Sequence, residues 1–408
     1  MKKILFVINT LGHAGAEVAM LELLNRLNPE EYEISLYVIM AQGELVNKLP
    51  KQVKLLNRHY SADSVLSKAG HRNMRKNVIH AFFHGGKILR KMEYLLSNLE
   101  IMIKRHRIWP DKLLWRMLSD GAEYPQEQYD LAVAYLEGAS AYYVADHVIA
   151  RKKAAFIHID YGNAGYTRRL DKDCYLSFNK IFAVSGEVRD HFLHAYPELQ
   201  SRTDIFHNMI NQEKIRKRAK EPGGFHDGYT GTRLLTVGRL TYQKAYEIAI
   251  DAMKLMKEAG YPVRWYILGE GPRRASLEKK IVQLGLQEDF ILLGAVDNPY
   301  PYYLQTDIYV HATRFEGKSI AIQEAQTLGC VIAASNCNGN REQIEHEVDG
   351  LLLELSPDGI RKAIAELVSD RDKCQRFARA AREKKVVHLE DMQKLFALLE
   401  EGIIDVRE

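Results

Sequence analysis

The stretch Lys3-Ile-Leu-Phe-Val-Ile8, continued by Asn9-Thr-Leu-Gly-His-Ala-Gly-Ala-Glu17, decides how the chain is read. Its unbroken apolar run predicts a strand buried on both faces, and its glycines predict a tight loop. Val18, Leu21, Leu24 and Leu27 then recur at helical spacing. Strand, glycine loop and helix in that order open a parallel αβ unit, and the rhythm repeats. Glu33 to Ile39, Tyr129 to Tyr135 and Ala154 to Ile159 read as strands. Lys180 to Val184 leads into a helix whose N-cap is Ser185, with Glu187 close behind.

A glycine-rich polar tract, Glu221 to Thr232, reads as an exposed linker or loop. Behind it a second series begins. Strands are expected at Arg233 to Val237, Val263 to Leu268, Phe290 to Leu293, Asp307 to His311 and Cys330 to Ala334. Helices are expected at Tyr246 to Ala259, Arg273 to Leu284 and Ser319 to Leu328. The expected fold class is α/β, with two facing Rossmann-like domains and the cleft between them as the default ligand site. The first domain is placed at 1–205 with a helical insertion at about 61–126, and the second at 206–385. A final helix in 386–408 is expected to cross back to the first domain through Leu395 to Leu399.

Length and composition exclude some classes. With 408 residues and 46% hydrophobic content, the chain is no small stapled module. Its 57 Lys plus Arg against 53 Asp plus Glu give +4, unlike a surface built for nucleic acid, and no nucleic-acid partner is expected. The charge is uneven. From His71 to Arg116 eleven Lys/Arg face three Asp/Glu, so this stretch carries +8 and the rest −4. Val78, Phe82, Phe83, Ile88, Leu89, Met92, Leu95, Leu96, Leu99, Ile101 and Met102 form apolar patterns there. Arg72, Arg75, Lys76, Lys87, Arg90, Lys91, Lys104, Arg105 and Arg107 edge them, with Trp109 and Trp115 following. Two readings stand side by side: a surface for an anionic membrane, or a helical insertion whose charges lie in water. Cys174, Cys330, Cys337 and Cys374 are widely spaced without a CxxC, which suits a reducing, cytoplasmic compartment. Met1 to Ile8 is too short for a signal-peptide core or a membrane span, so no integral helix is expected.

The residues that could carry chemistry cluster at strand ends. Gly12 and Gly15 do not form GxGxxG, which disfavours a nicotinamide enzyme; they offer close backbone approach to a diphosphate or sugar, or a simple tight turn. Gly238-Arg239-Leu240 with Lys244 sets two cations at a strand-to-helix mouth, a place for phosphate oxygens. Gly269 and Gly271 flank Glu270 beyond another strand. Glu316 and Glu324 lie eight positions apart, roughly 12 Å on a helix, so they are expected to meet different parts of a ligand. His158 ends a buried strand and reads equally as a core residue or as a donor or base. No HExxH or other metal motif occurs in the sequence, and no metal is expected.

In motif order the sequence resembles glycosyltransferase family 4, the retaining GT-B nucleotide-sugar transferases, over nearly the whole chain. The family's GGAE loop is similar to His13-Ala-Gly-Ala-Glu17, its strand-end histidine to His158, and its serine before a helix to Ser185. Its asparagine resembles Asn208, its GRL...KG signature Gly238 through Lys244, and its E-x7-E motif Glu316 and Glu324, with Gly339 and Glu342 following. The wording around Glu316 is similar to bacterial capsule and exopolysaccharide members. Ala14 and Ala245 stand where the family has glycines, and Lys318 and Ser319 replace its usual aromatic and proline residues.

By that resemblance Arg239 and Lys244 bind the donor diphosphate, Glu324 the ribose and Glu316 the donor sugar, with His158 near the reacting face. Gly12, Gly15, Asn208, Gly238, Gly269, Gly271, Ser319 and Ile320 complete the expected binding set. The implied activity is retaining transfer from a nucleotide sugar, a UDP-sugar first, to a lipid-linked or polysaccharide acceptor. The donor is a cosubstrate, no cofactor is bound permanently, and the expected location is the cytoplasm or the inner face of the cell membrane. An epimerase, a phosphorylase and a noncatalytic nucleotide-sugar-binding assembly subunit are the alternatives.

Overall fold

A computed structural model describes residues 1–400 except 66, 85, 87 and 105–109. The expectations attached to Lys87, Arg105, Arg107 and Trp109, and to the side chain of Ile101, lie outside the described residues. The chain forms two compact units, Met1–Met209 together with the segment from His388, and Ile210–Val387.

The first unit is built on a parallel sheet of β1 (Lys2–Ile8), β2 (Tyr32–Val38), β3 (Val53–Leu55), β4 (Tyr129–Ala134), β5 (Ala150–Ile157), β6 (Lys180–Ala183) and β7 (Thr203–Ile205). Their order is β3-β2-β1-β4-β5-β6-β7. The register of β1 on β2 runs from Lys2 opposite Tyr32 to Ile8 opposite Val38. The unbroken apolar run of β1 follows from its two neighbourhoods. Leu5 and Val7 enter one core with Tyr142 and Tyr143, while Ile4, Phe6 and Ile8 enter another with Met20 and Leu24. The last two of these lie on α1 (Gly15–Leu24), the helix after the glycine loop.

The second unit carries β8 (Thr232–Val237), β9 (Val263–Leu268), β10 (Phe290–Gly294), β11 (Ile308–His311), β12 (Val331–Ser335) and β13 (Leu351–Leu353). This sheet is also parallel, in the order β10-β9-β8-β11-β12-β13. In each sheet the strand order reverses at the centre, between β1 and β4 and between β8 and β11. Loops leaving carboxyl ends of strands part at such a point and open a crevice for ligands. The Glu221 to Thr232 tract is a loop of the second unit up to Gly231, with Thr232 opening β8, and is pinned where Asp227 accepts from Arg264 at 2.9 Å.

The insertion consists of α2 (Lys68–Phe83), α3 (Ile88–Lys104) and α4 (Pro110–Asp120), with α4 packed on α5 (Ala139–His147). Its charges do not all face outward, which corrects the placing of Lys91 among the basic residues edging the apolar pattern. Lys91 is buried; its Nζ donates to the carbonyls of Ala81 at 2.7 Å and His84 at 2.5 Å, closing the end of α2. Arg116 is buried too, paired with Asp146, bonded to the Asp171 carbonyl, and 4.2 Å from the Tyr142 ring centre. Leu89, Met92, Leu96 and Ile103 instead stand exposed on α3, beside the exposed Arg90 and Lys104.

The last helix, Met392–Glu400, belongs to the first unit. Leu395 is fully buried there and Phe396 stacks on Tyr32 at 5.9 Å. Just before it, Asp391 accepts from the backbone N–H of His207 at 2.8 Å and from Lys394 at 2.7 Å.

Candidate active site

In the second unit the loops after β8, β9 and β10 meet backbone to backbone. A Cβ on Gly269, whose φ is +150°, would lie 2.0 Å from the Gly238 carbonyl oxygen, so only glycine fits. Gly271 is crowded in the same way, its Cβ position 2.5 Å from the Leu240 oxygen. The bare backbone of Gly238 leaves room for the stem of Lys244, whose Cε is 3.3 Å from where a Cβ would stand. Lys244 Nζ donates to Glu316 Oε2 at 2.5 Å and lies 3.2 Å from His311 Nε2. His311, the last residue of β11, has Nε2 3.3 Å from Glu316 Oε2 and Nδ1 3.0 Å from the Tyr309 hydroxyl. Gln243 reaches Glu316 Oε1 at 3.4 Å.

The electrostatics follow from burial and pairing. Burial alone would raise the Glu316 carboxyl, but Lys244 and His311 hold it down to about 2. Burial, reinforced by the Lys244 ammonium, pushes His311 down to about 4, so the imidazole is neutral at physiological pH. Arg239 is exposed and forms no ion pair among the described residues.

Glu324 has a different setting. It lies on the helix Ile320–Leu328, where Tyr300 donates to its Oε1 at 3.0 Å and Tyr303 to its Oε2 at 3.2 Å. Burial raises its carboxyl to about 7 against the opposing effect of these phenols. Ser319 caps this helix without a side-chain bond. Its backbone N–H and carbonyl are instead paired with the Gln343 amide at 2.7 and 2.9 Å, which fixes the buried Ser319 and Ile320. Glu316 and Glu324 thus have separate partner sets.

In the first unit His158 follows β5. Its backbone N–H and that of Ile159 both donate to Glu137 Oε1, the latter at 3.0 Å. Burial pushes the His158 ring down to about 3, and its Nε2 has no partner among the described residues. Gly15 is the first residue of α1, Gly12 lies in the preceding loop, and Asn208 is buried near the end of the unit's first segment. Among the described residues, Asp120, Asp146 and His147 of this unit stand close enough together to suit a cation. Arg116 on Asp146, and His147 on Asp120 at 3.1 Å, make this a salt-bridged cluster.

The family described as Glycosyl transferases group 1 matches residues 228–384, nearly the whole second unit. The second unit is similar to this family over those residues. An N-acetylgalactosaminyltransferase of Campylobacter jejuni acting on a diphospho-undecaprenol glycan is 32% identical over 155 residues, 38% of this chain and 40% of that relative. The matched segment therefore spans less than half of that relative's length. A second Campylobacter jejuni enzyme, an alpha-1,4-N-acetyl-D-galactosaminyltransferase, is 24% identical over 366 residues, 86% of this chain and 85% of its own. HepE of Anabaena, solved with UDP-glucose, superposes with a TM-score of 0.69 at 16% identity, covering 98% of this chain and 100% of that one. The GT-B fold expected from the sequence is the fold that the chain shares with HepE.

Sequence reading missed His311, Tyr300 and Tyr303 in this unit. His311 had been counted only as the end of an apolar strand. The two tyrosines fall on a short helix, Tyr300–Gln305, that no periodicity announced.

Proposed function

We propose that the chain is a retaining glycosyltransferase that moves a sugar from a nucleotide sugar, a UDP-sugar, to a lipid-linked or polysaccharide acceptor of bacterial cell-surface glycan synthesis. The observation that carries this reading is the half-buried Lys244–Glu316 pair at the strand-order reversal of the second unit, with the unpaired Arg239 on the same loop as Lys244. The relatives above, named for transfer to undecaprenol-linked glycans or solved with UDP-glucose, support donor and acceptor class.

In this reading Arg239 and Lys244 neutralise the leaving diphosphate, Glu316 takes the sugar hydroxyls and Glu324 the ribose. The acceptor hydroxyl attacks the anomeric carbon on the face from which the diphosphate departs, and the leaving phosphate takes its proton. A neutral His158 with a free Nε2 suits a hydrogen-bonding partner for the sugar. No helix among the described residues is long and apolar enough to cross a membrane. The exposed apolar residues of α3 beside Arg90 and Lys104 support peripheral docking on the anionic inner face of the membrane, where a lipid-linked acceptor is presented.

The test is a nucleotide-sugar panel offered with extracted bacterial glycolipids. Turnover of one donor, reduced about a hundredfold or more in Lys244→Ala and Glu316→Ala, is expected. Absence of turnover with every donor, and identical behaviour of both variants, would sink the assignment.

A further inference from the structure

We infer that His311 is a positioning residue that takes over Glu316 when Lys244 leaves it for the donor diphosphate. The inference rests on the donor-site reading above.

In the free protein Glu316 Oε2 receives Lys244 Nζ at 2.5 Å, and His311 Nε2 lies behind at 3.3 Å. A lysine that grips a diphosphate cannot also hold this carboxylate closely. Once it departs, Glu316, whose side chain is only 15% exposed, would lack its main counter-charge at the moment it must meet the sugar. His311 supplies the missing donor from a fixed place. It is 1% exposed and anchored in β11 between β8 and β12, so the ring has little freedom to turn away. Once Lys244 Nζ has left its place 3.2 Å from Nε2, the Tyr309 hydroxyl, 3.0 Å from Nδ1, can give its proton there, which puts the N–H on Nε2, the nitrogen that faces Glu316. Tyr309 is itself fully buried against Tyr303, ring centres 5.1 Å apart, so this support is rigid.

The charged and titratable groups facing the imidazole are Lys244 from the loop after β8, Glu316 from the loop after β11, and Tyr309 from its own strand. Cys337, after β12, interacts with the same lysine and glutamate. Neither Tyr309 nor Cys337 can replace Lys244 as a donor to Glu316 as readily as the Nε2–H. Gln243 reaches only the other oxygen, Oε1, at 3.4 Å.

The experiment compares the parent with His311→Leu, His311→Gln and Tyr309→Phe, after thermal melts establish that each is folded. Binding of UDP, GDP, ADP and dTDP is measured by calorimetry, and kcat/KM for the active donor is followed against pH. A glutamine amide places an N–H where Nε2 stands, so His311→Gln is expected to keep parental binding. His311→Leu is expected to bind about tenfold more weakly, the effect of one hydrogen bond to a charged group, and to move the acid limb of the profile to higher pH. Tyr309→Phe should fall between them, and nitrogen-15 spectra of the diphosphate-bound parent should show His311 protonated on Nε2. Equal binding by the leucine and glutamine variants, an unmoved acid limb, or a proton on Nδ1 in the diphosphate-bound parent would overturn the inference alone. Failure of the parent to bind any of the four diphosphates would overturn the donor-site reading and this inference with it.

Discussion

At Glu324 the same surroundings that suit ligand binding cost the free protein stability. Its carboxyl is raised to about 7 in the folded chain, above the ordinary carboxylate value near 4.5. A raised carboxyl contributes stability that is present below about pH 4.5 and lost as pH climbs through 7. Glu324→Gln is therefore expected to raise the thermal midpoint at pH 8, by the equivalent of about 1 kcal/mol for this partly buried group, and to change it little at pH 4.5. A midpoint unchanged at both pH values would refute this. Glu316 works in the opposite sense. Held down to about 2, it stabilises the fold above pH 4.5 and loses that contribution as pH falls toward 2. Ala245 is a third case, a buried residue at φ +47°, ψ +30°, immediately before the helix Tyr246–Glu258. A methyl group tolerates this left-handed backbone at some cost, but a β-branched side chain does not. Ala245→Val is expected to lose about 2 kcal/mol or more in denaturant melts, whereas Ala245→Gly should lie within about 1 kcal/mol of the parent.

Among the elements, α3 has two faces with different work. One carries Lys91, whose ammonium closes the end of α2; Lys91→Met leaves those carbonyls unsatisfied and should cost about 1–3 kcal/mol. The other face presents Leu89, Leu96 and Ile103 at 82%, 64% and 55% exposure. Leu89→Ser with Leu96→Ser should leave stability nearly unchanged yet reduce flotation with anionic vesicles, as should Arg90→Gln with Lys104→Gln at low salt. Flotation that stays parental in both double variants would make this face an ordinary solvated one. Sequence alone showed that the insertion is helical and basic. It could not show that Lys91 and Arg116 turn inward, because the inward face of a helix is defined by partners distant in sequence. The central strands were legible for the opposite reason: residues such as Ile4 to Ile8 are buried on both faces and need no partner to be recognised. β3, β7 and β13, at three residues each, are too short to carry a pattern. At the site, Arg239, Lys244, Glu316 and Glu324 stood out through charge among glycines. His311 joined them only through the pairing of β11 beside β8, a fact of topology.

At the scale of the whole molecule the first unit is discontinuous, made of the chain's beginning and its final helical segment, while the second is one uninterrupted run. Met392, Leu395, Leu398 and Leu399 complete a core shared with Ile4, Phe6 and Phe156. Ending the chain at Val387 should destabilise the first unit by about 3 kcal/mol or more and leave the second unit's calorimetric transition in place. A single parental transition in the truncated chain would contradict this division. The same arrangement has a consequence for synthesis. Residues 388–400 leave the ribosome after the second unit, so that unit is complete in sequence while the first still lacks a wall of its core. The usual amino-terminal-first order is then inverted. The nascent first unit waits with an apolar face uncovered, and a stalled or prematurely ended chain would present that face to chaperones and proteases.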